Sequence, residues 1–398
     1  MVTLAKDLSK LRVACFSTEQ EFDSLRHDWD ELLDDSNQCV YFLRWSWNRL
    51  WWRTHAPANS RLFLIACYDG SDKLVGLAPL YWRERSLVGV GRMQELVFLG
   101  TGVPTSTSEQ LDLIARRGYE QPVAAAIANY LLEASDVDRL WLSEIPIASI
   151  ILPHFRRALG QSQSLKICNR SHYVDTSQDW ESFNRGLRKS MRTNVTYYTR
   201  RLFKLFDCKF RRVRTLAELE PAMDTFVRLH QARWESKGEP GSFALPSFEG
   251  FLKDAMRSTL AEGRLRLWTL ELQGVTAAVL LAFVDNGVAH YFQGGFNPVF
   301  AKESLGTVMC GLCIKDCVES EDVNEFNFMG GDPSYKERWT SNSRDSVALE
   351  WLRPGIRSQS FAIAVQGKVV GRSLLRLVTP TVVKARVQAA RRKRLRGK

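Results

Sequence analysis

Apolar residues recur along this chain with two different periods, and the switches between them divide it into elements. Phe22, Leu25, Trp29 and Leu32–Leu33 step by three and four, the stripe of a helix lying on a core. A tryptophan-dense segment, FLRWSWNRLWWRTH, follows it. RLFLIACY and KLVGLAPLYW are strand-like runs on either side of Asp69-Gly70-Ser71-Asp72, which predicts a hairpin. QELVFLG reads as a further strand leading into a loop, TGVPTSTSEQ. Gln121 to Glu133 reads as a helix with proline in its first turn, and DRLWLSEI as a strand. The order is helix, hairpin, strand, helix, strand.

The second half runs through a similar order with different residues. SHYVDTS is a short strand, and Leu187, Met191, Val195, Tyr198 and Leu202 then mark one helical face. A second helix carries Leu219, Met223, Phe226, His230 and Trp234. RLRLWTLELQGVTAAVLLAFVDNGVAHYFQGGF predicts three strands joined by turns at Gln273-Gly274 and Asp285-Asn286-Gly287. A loop, a helix from about Gly306 to Ser320 and the strand EFNF complete it. The expected fold class is α/β with mixed sheets, in two similar tandem units. The expected boundaries are 1–165 and 166–352, with a tail at 353–398.

Length and composition narrow the class. A chain of 398 residues exceeds one ordinary core, and 45% hydrophobic with 25% charged residues is a globular balance. The longest apolar run, Val275 to Val284, falls far short of the roughly 20 residues of a membrane-spanning helix. MVTLAKDLSKLRVACF lacks the apolar stretch of an export signal, so the cytoplasm is the expected compartment, with cysteines reduced. The net charge of +11 belongs to the tail: 13 of the 55 Lys/Arg lie from Arg353 onward, where no acid occurs. Residues 1–352 hold 42 bases against 44 acids. Folded-part basicity therefore gives no ground for expecting nucleic acid. The tail mixes Val and Leu with Arg and Lys, which suits an anionic inner-membrane surface or a plain basic end.

Two stretches concentrate candidate chemistry. In HYFQGGFNPVFAKESLGTVMCGLCIKDC, a strand breaks at Gly294-Gly295 and a helix starts near Ser304-Leu305-Gly306. A helix start offers free N–H groups to a diphosphate, and Gly306 lets that backbone approach closely; an ordinary crossover fits the same spacing. In EFNFMGGDPSYKERW, a strand ends in two glycines and then presents Asp332, Tyr335, Lys336 and Arg338. Cys310, Cys313 and Cys317 share one helical face without a second ligand pair, so no metal is expected.

Several segments, in order, resemble one family from about residue 10 to 352. EFDSLRHDWDELLDDS and FLRWSWNRLWW look like its opening helices, and KLVGLAPLYW like its hairpin. LRKSMRTNVTYYTRRL is similar to its basic helix, LHQARW to its H-x-x-R-W segment, GGFNPVFAKESLGT to its loop and helix start, and FNFMGGDPSYKERW to its D-F-x-x-G-x-x-x-Y-K-x-x-W pattern. The chain thus resembles the GNAT-type acyltransferases of the CelD/BcsL kind, relatives of the Fem peptidyltransferases found in envelope and exopolysaccharide gene sets. Leu305 stands where that family usually has proline, and Asn327 where it usually has aspartate.

The resemblance implies two tandem GNAT-like folds, the second binding acyl-CoA as co-substrate beside a strand splayed at Ala289–Gln293. It implies a diphosphate site from Lys302 to Thr307, with Tyr291, Gln293, Lys302, Ser304, Gly306 and Thr307 toward the donor. Tyr335, Lys336, Asp332 and His290 are then the expected catalytic residues. Arg188, Lys189, Arg192, His230, Arg233 and Arg338 are the expected contacts to an anionic acceptor. The implied activity is N- or O-acyl transfer to a cell-envelope or exopolysaccharide precursor, a small molecule or a lipid- or sugar-linked one. Alternatives are aminoacyl transfer from charged tRNA, N-acylation of a long-chain base, or a catalytically silent scaffold of a polysaccharide synthase complex. Nucleic acid is expected only under the tRNA alternative.

Overall fold

The computed structural model describes residues 11–87, 91–103 and 108–355. The basic tail expected from residue 353 therefore lies almost wholly outside the described residues. The first half comprises β1 (Arg12–Phe16), α1 (Glu19–Ser24), α2 (Arg26–Asp34), α3 (Trp45–His55), β2 (Arg61–Tyr68), β3 (Leu74–Leu87), β4 (Gly91–Phe98), β5 (Ile114–Ala115), α4 (Glu120–Glu133), β6 (Arg139–Pro146) and α5 (Ile151–Leu159). The second comprises β7 (Gln163–Asp175), α6 (Trp180–Gly186), α7 (Lys189–Leu205), β8 (Cys208–Arg212), α8 (Leu216–Ser236), α9 (Pro246–Ala261), β9 (Leu265–Leu272), β10 (Val275–Asp285), β11 (Val288–Phe296), α10 (Leu305–Val318), β12 (Glu325–Asn327), α11 (Pro333–Lys336) and β13 (Ser343–Leu352).

Local chemistry sets these elements. Thr18 with Glu21 and Thr215 with Glu218 form capping boxes that start α1 and α8, each side chain satisfying the other residue's free N–H. The expected turns are present. Gln273-Gly274 and Asn286-Gly287 all take positive φ, the tight hairpin geometry whose twist matches the flanking strands. Asp69 Oδ1 accepts from the Ser71 and Lys73 amides and closes the β2–β3 turn.

The strands form one mixed sheet in the order β1-β2-β3-β4-β6-β13-β7-β12-β11-β10-β9-β8, with β5 added beside β3. Helices flank it, as the α/β expectation requires. Two features exceed that expectation. The strand read as SHYVDTS begins at Gln163, and its early part pairs with β13 while Tyr173–Asp175 pair with β12. The late strand β13 returns between β6 and β7, so the chain's last described strand is hydrogen-bonded to its first half.

Two cores result. One runs across both halves, where Tyr41 stacks on Phe283 at 4.7 Å and Trp47 meets Phe251, Phe283 and Phe292. The other lies on the opposite face of the second-half sheet, under α7 and α10, and contains Val195, Leu280, Cys310, Cys313, Phe326 and Phe328. The three cysteines of α10 are thus buried packing residues of this second core.

Candidate active site

β11 and β12 run parallel but pair at only three positions, Val288–Glu325, Ala289–Phe326 and His290–Asn327. β12 then ends, while β11 continues to Phe296 with only its β10 side paired. The two strands fork after His290, and among the described residues the inner edge of Tyr291–Phe296 has no strand partner. Beside that edge lies a cavity of about 270 Å³, lined by Tyr291, Gly294, Gly295, Phe296, Ala278–Leu280, Arg233, Tyr335, Met309 and the turn Ala301, Ser304–Thr307.

The far end of the cavity is the start of α10. Ser304 takes a left-handed conformation, φ 53 and ψ 36, and no side chain caps the helix. Its carbonyl accepts from the Thr307 and Val308 amides at 2.9 and 3.1 Å, which leaves the first N–H groups as the uncapped positive end. A Cβ built on Gly306 would meet no atom within 4 Å, so this end is open and unscreened. Leu305, in the usual proline position, turns into the core at 2% exposure and does not block it. An anionic diphosphate fits this surface.

At the other end, Tyr335 and Tyr291 face each other beside Cys310, and burial holds all three protonated by raising their pKa values, Tyr291 to about 12. Arg233 donates to the Gly294 carbonyl at 3.1 Å and lies over the Phe296 ring, so α8 fixes the strand edge and supplies, among the described residues, the lining's one cation.

The expected residues divide sharply. Tyr291, Ser304, Gly306, Thr307, Arg233 and Tyr335 are gathered at the cavity. Lys302 is exposed next to Ala301 at its mouth. Gln293 donates to Ser242 Oγ and does not line the cavity.

Three residues expected to do chemistry sit elsewhere. His290 packs against Phe42 on the opposite face of β11, where burial depresses it to about 4 and both ring nitrogens lack a partner. Strand alternation explains this, since Tyr291 takes the cavity face. Asp332 is exposed and caps α11 by accepting from the Ser334 amide at 3.0 Å. Lys336 is buried, and its ammonium donates to the carbonyls of Met329 and Gly330. Helix geometry turns it away from its neighbour Tyr335. Among the expected acceptor contacts, His230 is buried on α8 and accepts from Trp234 Nε1 at 3.0 Å. Arg338 is exposed past α11. Arg188, Lys189 and Arg192 lie at the start of α7, outside the cavity lining.

The structure also brings in residues that short-range patterns missed. Glu109, from the stretch TGVPTSTSEQ read only as a loop, accepts the Gly330 amide with both carboxylate oxygens at 2.9 and 2.8 Å. Asn169 fills the space where a Gly330 side chain would stand and donates to Glu144 at 2.9 Å. Burial, with Glu144 nearby, pushes Glu109 up to about 7, and the same burial lowers Lys336. The glycine elbow beside Tyr335 is therefore clasped from the first half by a carboxylate and from α11 by an ammonium.

Residues 189–337, the span holding the fork, the cavity and α10, match the acetyltransferase (GNAT) domain. That domain, over rather more than a third of the chain, makes the protein an acyltransferase. Among solved structures it is similar to FemX, at TM-score 0.58 and 11% identity over 86% of this chain and 98% of that one. It is also similar to a conserved protein of unknown function from Bacteroides thetaiotaomicron, at 0.55 and 9%, over 85% and 100%. A third likeness is to the C-terminal domain of a putative lysylphosphatidylglycerol synthetase from Agrobacterium fabrum, at 0.50 and 10%, over 86% and 95%. At these identities the likeness is one of fold. No curated protein matches the sequence.

Proposed function

We propose that the protein transfers an acyl group from acyl-CoA to an amine or hydroxyl of a cell-envelope or exopolysaccharide precursor, in the manner of the CelD/BcsL kind. The observation that carries this reading is the fork after His290–Asn327, with a cavity running from it to the uncapped start of α10. Acyl-CoA would supply an activated thioester. The free edge of β11 would pair with its amide-bearing arm, and the amides near Leu305 and Gly306 would take its diphosphate. Tyr335, half-buried and held protonated, would give a proton to the departing thiolate. Positioning of the acceptor beside the thioester supplies much of the remaining acceleration. We also read the chain as two tandem units, 1–165 and 166–352, working at the cytoplasmic side of the envelope.

A second reading, aminoacyl transfer from charged tRNA to a cell-wall or lipid acceptor, has the fold likeness to FemX and the lysylphosphatidylglycerol synthetase domain in its favour. Titration calorimetry with CoA and acetyl-CoA, beside thiol release over an amine and alcohol panel, separates the two. The first reading expects binding that Gly306→Asp weakens roughly tenfold or more, because a carboxylate at the helix start repels the diphosphate. The open space at Gly306 leaves the fold undisturbed by that change. Wild-type protein that ignores CoA at millimolar concentration but transfers label from aminoacyl-tRNA would replace the first reading with the second.

A further inference from the structure

The donor cavity makes no use of the charge on α7. Between residues 185 and 214 the chain carries eleven Lys/Arg and a single acid, Asp207. Arg201 pairs with Glu303, Arg212 with Asp316 at 3.9 Å and Arg211 with Glu271 at 4.0 Å. Among the described residues, Lys189, Arg192, Arg200 and Lys204 have no such ion pair. They share one exposed helical face, because positions three, four, seven and eight apart return to the same side. Arg192, Tyr197, Arg200 and Lys204 line an open groove of about 670 Å³ along that face.

Apolar side chains protrude from the same region. Tyr197 is 57% exposed, Phe203 46%, Leu205 51% and Val299 83%. Val299 belongs to the turn after β11. That turn is held to the end of α7 by the edge contact of Phe206 with Phe300 at 5.9 Å. Cations and exposed apolar side chains thus share the C-terminal part of α7, and Val299 stands two residues before Ala301, which lines the cavity.

We propose that this face of α7, with the Val299 turn, docks on an anionic lipid bilayer and sets the cavity mouth at headgroup level. Charge complementarity requires an anionic partner, and the apolar side chains choose which one. Exposed Leu205 and Val299 gain nothing from phosphates or stacked bases, but gain by entering the acyl-chain boundary. Tyr197 and Phe203 suit the same interface. This docking is independent of the chemistry in the cavity and of the basic tail.

The test is co-sedimentation of the full-length protein with phosphatidylcholine vesicles, with and without phosphatidylglycerol, at low and high salt. Arg200→Glu with Lys204→Glu should weaken binding to anionic vesicles roughly tenfold or more. Phe203→Ser with Val299→Ser should weaken it several-fold and remove most of what survives at high salt, where charge is screened. All four side chains are at the surface, so unchanged circular dichroism and thermal midpoint are expected of both variants. Binding of both variants equal to wild type overturns the proposal. So does a loss that appears with RNA but not with vesicles. The readout is binding alone, so it stands or falls apart from acyl transfer.

Discussion

Glu109 illustrates how much one side chain can couple. Its carboxylate is bound to the Gly330 amide, faces Glu144 and Asn169 from β6 and β7, and has the Lys336 ammonium on the other side of the same peptide. Burial is the larger influence and raises it to about 7 from an ordinary value of 4.5. A carboxyl whose folded pKa is raised binds its proton more tightly folded than unfolded. Its contribution is therefore most favourable below about 4.5 and is lost as pH climbs to about 7. Glu109→Gln removes that titration. The thermal midpoint of wild type should fall relative to the variant between pH 4.5 and 7, by a shift worth on the order of 1–2 kcal/mol given partial exposure. Parallel curves across that range would show that Glu109 does not titrate there. Nothing within TSTSEQ announces this role, since the partner amide lies 221 residues further on.

At the scale of elements, the cavity depends on how closely α8 lies against β11. Gly295 makes that approach possible: a Cβ there would stand 2.6 Å from the Leu229 carbonyl carbon and 2.8 Å from His230 Cα, which are backbone atoms that cannot swing aside. Gly295→Ala should push α8 outward, lower stability by roughly 1–3 kcal/mol and, under the acyl-CoA proposal, weaken CoA binding by displacing Arg233. Gly306→Ala, with open space around it, should leave the thermal midpoint unchanged. Equal melting curves for the two alanine variants would contradict this packing. The same elements show what could be read beforehand. Both tight hairpins, the α10 start and the glycine elbow were legible, because turn and cap chemistry is carried by adjacent residues. The helices α5 and α9 were not assigned, β7 was read too short, and β13 was not placed. Strand pairing of β13 with β6 and β7 is decided by residues some 200 positions away, and no local period encodes it. The cavity face was legible through Ser304, Gly306 and Tyr335. The burial of His290 and Lys336 was not, since it depends on which face of β11 and α11 each occupies.

Across the whole molecule, the two halves are joined by a continuous sheet, a shared aromatic core and buried charge clusters, of which the one at Asp285 lies beside that core. Asp285 ends β10 at 2% exposure and accepts from Arg44 Nε and Nη2 at 2.6 and 2.9 Å, and from Arg264 at 2.5 Å. Arg44 comes from the first half, just before α3, and also reaches Asp34 at 2.5 Å. The cluster sits beside Tyr41 and Phe283, so the aromatic stack that spans the halves is pinned at its edge by charge. Removing one partner of a buried pair strands the other without water, a cost of roughly 3–5 kcal/mol. Asp285→Asn keeps the shape and removes the charge, so Arg44 would lose its strongest acceptor while Arg264, half-exposed, could turn to solvent. Calorimetry of the wild type should give one cooperative transition, since β13 and the shared core tie both halves together. The variant should melt several degrees lower, still as one transition. A melting temperature equal to wild type would mean the cluster contributes nothing to joining the halves. Two separated transitions in the wild type would mean that the shared sheet does not make them one folding unit.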